Sequence, residues 1–250
     1  MASRRVRALS LKKTKLGETD LIVTYLAEDG CQVRAVAKGA RKPGSRLGGR
    51  VEPFVVADLL LHEGRSLDII NDAEIAVSHA GIRGDYDRTT AASVVVDFLD
   101  KISVECQMED RLFGLACTTL DVMETARIDT LHALVTAFLL KGIAMHGYRP
   151  QFHTCTTCGG DAGSCDGYSL EDAGPVCASC GMHGAGTVIA PPEVRGVLSA
   201  FMQARMVDVA DIEVPRRVLN EAFGLTRRLV GYHVPARLKA LDLYAAPTGE

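Results

Sequence analysis

The sequence predicts an α+β protein in which a small five-stranded barrel precedes an α-helical domain that carries a four-cysteine module. Three observations predict this. Up to about residue 77, polar and apolar residues alternate with period two. From about Asp85 the apolar residues recur at helical spacing instead. Among the helical stretches lies a segment from Arg149 to Val188 that is rich in Gly, Thr and Cys and has little periodicity. The domains are therefore expected at 1–79 and 80–250, with the cysteine module inserted at 149–188.

The first strand is read from Arg5 to Lys12, which alternates apart from a phase slip at Ala8-Leu9 that suggests a bulge. Leu21 to Leu26 is short, apolar and β-branched, and Glu28-Asp29-Gly30 follows as a turn. Cys31 to Ala37 alternates again. After a polar loop, Lys38 to Arg50, come Pro53 to His62 and Leu67 to Val77. Five short strands in under 80 residues suit a small closed or partly open barrel, for which the OB-fold is a common solution. Three helical stripes follow: Val94 to Ile102, Leu112 to Met123, and Leu131 to Leu139 with Asp129 as the expected N-cap. These stripes read as core. Pro215 is placed to open a last long helix through Val230, and Ala245 to Glu250 reads as a frayed tail.

The 250 residues carry a net charge of −3, unevenly spread. Residues 1–50 hold twelve basic and four acidic side chains, while the rest hold 16 basic and 27 acidic. A cationic start on an acidic body points to a polyanionic partner for the first part only. No apolar run is expected to reach the ~18 residues of a bilayer span. The basic N-terminus lacks the apolar core of a secretory signal. A cytoplasmic protein with reduced thiols and no membrane partner is the expectation.

The sharpest motif is Cys155-x2-Cys158, then 18 residues, then Cys177-x2-Cys180. Two-residue spacing lets one turn offer two thiolates to one ion, and two such turns complete a tetrahedron at ~2.3 Å per Zn–S bond. Four sulfur ligands close the coordination sphere, so one structural Zn2+ is expected. Cys165, His153 and His183 read as bystanders, and Cys31, Cys106 and Cys117 as core.

Lys38-Gly39-Ala40-Arg41-Lys42-Pro43-Gly44-Ser45-Arg46 combines cations with glycines, which let backbone N–H groups approach phosphates. With the flanking cations, Arg34, Lys38, Arg41, Lys42, Ser45, Arg46 and Arg50 form the candidate nucleic-acid contact set. Gly39-x4-Gly44 resembles a phosphate-binding P-loop, but Ser45-Arg46 stands where Lys-Ser/Thr is needed and a strand follows, which excludes nucleotide hydrolysis. Aromatics are scarce: residues 1–77 hold only Tyr25 and Phe54, and the chain has no Trp. Binding is then expected to be electrostatic and sequence-independent, with little base stacking. The competing reading is a solvated loop without a ligand.

Glu18-Thr19-Asp20 before Leu21-Ile22-Val23-Thr24, Ala37 to Lys42, Ser45-Arg46 and Glu52-Pro53-Phe54 resemble the N-terminal signature of the RecO family of bacterial DNA repair mediators. The cysteine pairs resemble its zinc-bearing branch, and Arg237-Leu238-Lys239-Ala240-Leu241 its C-terminal pattern. The resemblance implies an OB-fold and a helical domain with an inserted zinc module. It implies binding of single- and double-stranded DNA, strand annealing, and association with RecR and the C-terminal tail of single-stranded-DNA-binding protein (SSB). It also implies an indirect role in loading RecA. By the resemblance, Lys38, Arg41, Lys42, Ser45 and Arg46 would face DNA; Arg216, Arg217, Arg227 and Arg228 read equally as partners for a carboxylate terminus or as a solvated helix face. A nucleoid-associated, non-enzymatic protein follows.

Two alternatives stay open. An RNA-binding or ribosome-associated module would use the same barrel and zinc ribbon, and matched DNA and RNA oligonucleotides would separate the two. An enzyme would need a set drawn from His62, His79, His132, His146 and His233, none of which stands in a recognisable catalytic spacing.

Overall fold

The computed structural model describes residues 3–64, 66–104, 110–181 and 186–246. Cys106, His183 and the end of the tail, 247–250, lie outside the described residues.

The alternating segments form β1 (Ser3–Leu16), β2 (Asp20–Ala27), β3 (Gln32–Ala37), β4 (Val56–His62) and β5 (Asp68–Val77). They close into a barrel in the order β1-β2-β3-β5-β4. Only β3 and β5 pair in parallel. This is the five-stranded OB-like architecture expected. Its interior is built largely from alanines (Ala8, Ala27, Ala35, Ala57 and Ala73 among them) around a fully buried Tyr25, Val23, Leu59 and Leu61.

Two details of the barrel differ from the sequence reading. The irregularity in β1 lies between Ser10 and Lys12, not at Ala8-Leu9. Ala8 faces the barrel interior, while Leu9 alternates to the outside and is buried there too. The outer face of β1 is covered by a helix, so apolar residues occur in both phases of the alternation. Pro53 to Val55 is not strand, because Phe54 has φ +71°. Phe54 N–H donates to Ser10 O (3.0 Å) and Ser10 N–H to Val55 O (2.8 Å), so this turn is clamped onto β1.

The chain packs as two units, Met1–Thr125 with Leu238–Glu250, and Ala126–Arg237. In the first, α1 (Ala80–Arg83), α2 (Tyr86–Ile102) and α3 (Asp110–Thr125) accompany the barrel. Asp85 caps α2 by accepting from Arg88 N–H at 2.9 Å. His79, left-handed at φ +43° and buried, joins Phe54 O (2.6 Å) to the Asp121 carboxylate on α3 (2.9 Å).

The second unit is organised around α4 (Leu131–Met145), eleven of whose residues are buried. Its N-cap is Thr130, at the end of a 3-10 turn, and not Asp129, which lies one residue earlier inside that turn. Ile128–Met145 is long and apolar enough to cross a bilayer, contrary to the expectation that no run reaches that length; 67% of it is buried inside the protein. The cysteine-rich segment contributes β6 (Gly167–Ser169), β7 (Gly174–Val176) and β8 (Thr187–Ile189) in one sheet, order β7-β6-β8. Then follow α5 (Pro192–Gln203), α6 (Met206–Val209) and α7 (Arg216–His233), which pack on α4. Pro215 opens α7 as its sequence position suggests. Finally α8 (Lys239–Tyr244) packs on α2 of the first unit, where Ala240 N–H donates to Asp97.

Candidate nucleic-acid interface and metal centre

The basic loop between β3 and β4 is a pinned structure. Consecutive tight turns run through it: Lys42 N–H donates to Gly39 O (3.0 Å), Ser45 N–H to Lys42 O (3.1 Å), and Gly48 N–H to Ser45 O (3.4 Å). Ala40 and Val51 are buried in the barrel core, and Leu47 packs against it. Between these apolar pegs Lys38, Arg41, Lys42 and Arg46 stay exposed.

The base of the loop is held by the segment before β2. The Asp20 carboxylate accepts from Gly39 N–H (2.8 Å) and from the Thr19 hydroxyl (2.9 Å). Those two bonds, with Lys38 and Lys42 nearby, hold Asp20 below the ordinary carboxylate value. Arg41 N–H donates to Thr19 O (2.9 Å), and its guanidinium reaches Gly17 O (3.2 Å) and Glu18 O (2.8 Å).

The seven candidate contacts are thus not equivalent. Lys38, Lys42 and Arg46 project from the loop, and Arg34 stands exposed on β3 opposite Thr24 of β2. Arg41 is partly engaged by backbone carbonyls. Arg50 is bonded to the Asp72 carboxylate (3.1 Å) and Ala73 O (2.6 Å), and Ser45 is half-buried in its turn. Tyr25 and Phe54 are buried, so neither barrel aromatic is exposed for stacking.

The four cysteines come together. The Sγ atoms of Cys155, Cys158, Cys177 and Cys180 all lie within 4.8 Å of one another. Cys158 Sγ and Cys177 Sγ are 3.7 Å apart, close to the ~3.8 Å edge of a tetrahedron with Zn–S bonds of ~2.3 Å. Each pair sits on the same kind of turn, closed by a left-handed glycine: Gly159 (φ +71°) donates to Cys155 O at 2.9 Å, and Gly181 (φ +77°) to Cys177 O at 3.1 Å.

The backbone N–H of Cys177 (3.3 Å), and then that of Cys158, pull the Cys155 thiol down to about 6. Cys180 is pushed up to about 12 by bonding to the Cys177 and Cys158 thiols, and by the Cys155 charge. Four thiolates this close repel one another, and a divalent cation among them would offset that repulsion. The four cysteines are placed to bind a metal ion.

Arg195, which the sequence reading passed over, shapes this module. It is 2% exposed on α5, and its guanidinium donates only to carbonyls: Ala190 (3.2 Å), Phe152 (2.6 Å), Ala162 (2.8 Å), Gly163 (3.3 Å) and Cys165 (2.7 Å). It thereby fixes the loop that carries Cys155 and Cys158. An Arg in an amphipathic helix gives no sign of this in sequence. Cys165 accepts from Ala178 N–H (3.2 Å) and His153 bonds Ser199 (3.1 Å), so both sit beside the cluster and outside it. Cys31 and Cys117 are both half-buried, short of the core position expected for them, and burial pushes the Cys117 thiol up to about 12.

The histidines have separate surroundings. His79 is the buried clamp described above. His62 lies 3.5 Å from the Ser3 hydroxyl. His132 packs on Phe223, with ring centroids 4.5 Å apart. His146 and His233 belong to an aromatic cluster with Tyr148. On α7, Arg217 pairs with Glu193 (2.6 Å) and Glu221 (2.7 Å).

Comparison with known proteins agrees over both parts of the chain. Residues 1–79 match the family model "Recombination protein O N terminal", and residues 83–242 match "Recombination protein O C terminal". A "DNA repair protein RecO" from Nocardioides sp. is 34% identical over 246 residues, covering 95% of this chain and 97% of the relative. One from Frankia casuarinae is 36% identical over 242 residues, covering 95% and 96%. One from Bifidobacterium longum subsp. infantis is 33% identical over 228 residues, covering 90% and 93%.

Proposed function

The chain belongs to the RecO family of DNA repair proteins, and from that premise we propose that it is a recombination mediator that grips DNA by its backbone. It binds single- and double-stranded DNA through Lys38, Lys42 and Arg46 of the pinned loop and Arg34 beside it. Arg41, Ser45 and Arg50 shape that surface more than they contact DNA. The chain anneals complementary strands and, together with RecR, helps RecA load onto DNA coated by SSB, whose C-terminal tail it docks. One Zn2+ held by Cys155, Cys158, Cys177 and Cys180 is structural. The protein works in the cytoplasm at the nucleoid, without a membrane partner and without catalytic turnover.

The observation that carries this reading is the loop: cations held outward by apolar pegs and by Asp20, on a barrel whose aromatics are internal. Annealing needs no active site. It needs a surface that offsets repulsion between two phosphate chains and leaves the base edges free to pair. The test is annealing of complementary strands, bare and coated with SSB. The wild type should accelerate both, and the Lys38→Ala/Lys42→Ala/Arg46→Ala variant should lose most of the acceleration while keeping its fold. A wild-type protein that leaves annealing unchanged would overturn the proposal.

A further inference from the structure

The barrel hides its aromatic rings, but the second unit displays some. Among the described residues the exposed tyrosines are Tyr86, Tyr148 and Tyr232, at 77%, 41% and 47%. Tyr148 and Tyr232 meet the same histidine. Tyr148 stacks on His233 with ring centroids 4.1 Å apart and 24° between planes. Tyr232 meets His233 edge-on at 5.1 Å and 71°. His146 lies 6.0 Å from Tyr148 at a tilt.

This cluster is built rigidly. Tyr148 follows the end of α4, where Gly147 is left-handed at φ +105°. Tyr148 N–H donates to Ile143 O (3.1 Å) and Gly147 N–H to Ala144 O (3.3 Å), the paired bonds of a Schellman cap. His233 is the last residue of α7, and its Nε2–H donates to Leu170 O (2.8 Å) in the β6–β7 turn of the cysteine module. A Cβ on Gly186 would sit 3.5 Å from Tyr232 Cε2, so that ring also lies against backbone. Burial holds His146 below its usual value, which favours a neutral ring. Two helix ends and the module thus hold aromatic rings in place while leaving Tyr148 and Tyr232 open to solvent. Burial of apolar surface does not explain rings fixed this firmly yet left so exposed.

Cations flank the rings. Arg149 follows Tyr148, and Arg228 precedes Tyr232 by four residues on α7, on the same helix face; both are exposed. Aromatic ring next to cation is the alternation that a single strand offers in return, base next to phosphate. Glu171, exposed in the turn beside Leu170, limits how much attraction charge alone provides there.

We propose that Tyr148 and Tyr232, braced by His233, form a stacking platform for unpaired bases of single-stranded DNA. This rests on the DNA-binding reading above and adds a second, base-dependent contact to it. Duplex DNA keeps its bases stacked internally and cannot use the platform, so the site favours single strands.

The test uses the full chain with its metal. Binding of oligothymidylate, an abasic strand of equal length and charge, and a duplex is compared for wild type, Tyr148→Ala, Tyr148→Phe and Tyr232→Ala. Tyr148→Ala should weaken oligothymidylate binding by ~5- to 160-fold, the range of one lost stacked base. Tyr148→Phe should restore it, and abasic-strand and duplex binding should stay unchanged. Tyr232→Ala should repeat the pattern more weakly, which keeps the test valid if Tyr148→Ala fails to fold. Equal loss on all three ligands, or no loss on oligothymidylate for either alanine variant, overturns the platform. So does a Tyr148→Ala variant that binds DNA normally but loses an acidic peptide with an aromatic terminus. Wild-type protein that binds none of the three ligands would instead overturn the DNA-binding reading itself.

Discussion

Asp20 shows how a single side chain can organise a charged loop through two hydrogen bonds at its base. Its carboxylate takes the Gly39 amide and the Thr19 hydroxyl, and Thr19 in turn accepts Arg41 N–H. The Glu18-Thr19-Asp20 signature is therefore an anchor for the loop. Asp20→Ala should lower DNA affinity several-fold with the barrel intact, and Asp20→Asn, whose amide oxygen can still accept, should fall between. Because the folded value lies below the ordinary 3.8, the anchoring is complete above that pH and fades only as pH falls through the depressed value. DNA binding that dropped already between pH 7 and 5 in the wild type, and not in Asp20→Asn, would contradict this. Arg195 acts in the same way on the metal module. Arg195→Met would strand the carbonyls of Phe152, Ala162 and Cys165, at ~1–3 kcal/mol for each buried one left unpaired. Metal release to a chelator should quicken markedly in that variant, and an unchanged release rate would remove Arg195 from the account.

At the scale of elements, the strands and the cysteine turns were legible because each depends on local chemistry. Period-two alternation marked β1 and β3, and a short apolar β-branched run marked β2. The two-residue cysteine spacings with following glycines marked turns that do meet. Gly159→Ala should cost ~1–2 kcal/mol through the left-handed backbone alone. It should appear as a lower melting temperature with metal content unchanged at saturation, and an unaltered melting curve would show the turn can relax. Elements that depend on distant partners were less legible. The alternation of β1 does not reveal its bulge because α2 buries the outer face, and residues 53–55 look like strand because the bonds that bend them come from Ser10 and His79. α5 and α6 carried no signal strong enough to set them apart from the segment before them. Which loop cations were free and which were engaged, as with Arg50 and Asp72, depended on strand register and so lay beyond the sequence.

Over the whole molecule, charge and chemistry divide along the chain. The first fifty residues gather the cations, and their barrel supplies a shape that holds them outward. The second unit gathers the sulfur ligands and the displayed aromatic rings. The family match joins these parts as one DNA repair protein. Binding of the loop cations to the DNA backbone is read in the salt dependence of DNA affinity, because each neutralised phosphate of a single strand adds roughly −0.7 to the slope of log K against log salt. With the four contacts of Arg34, Lys38, Lys42 and Arg46 the wild type should show a slope near ~−3. The Lys38→Ala/Lys42→Ala/Arg46→Ala variant should bind more weakly with a slope flatter by ~2. Identical slopes for the two proteins would contradict the account.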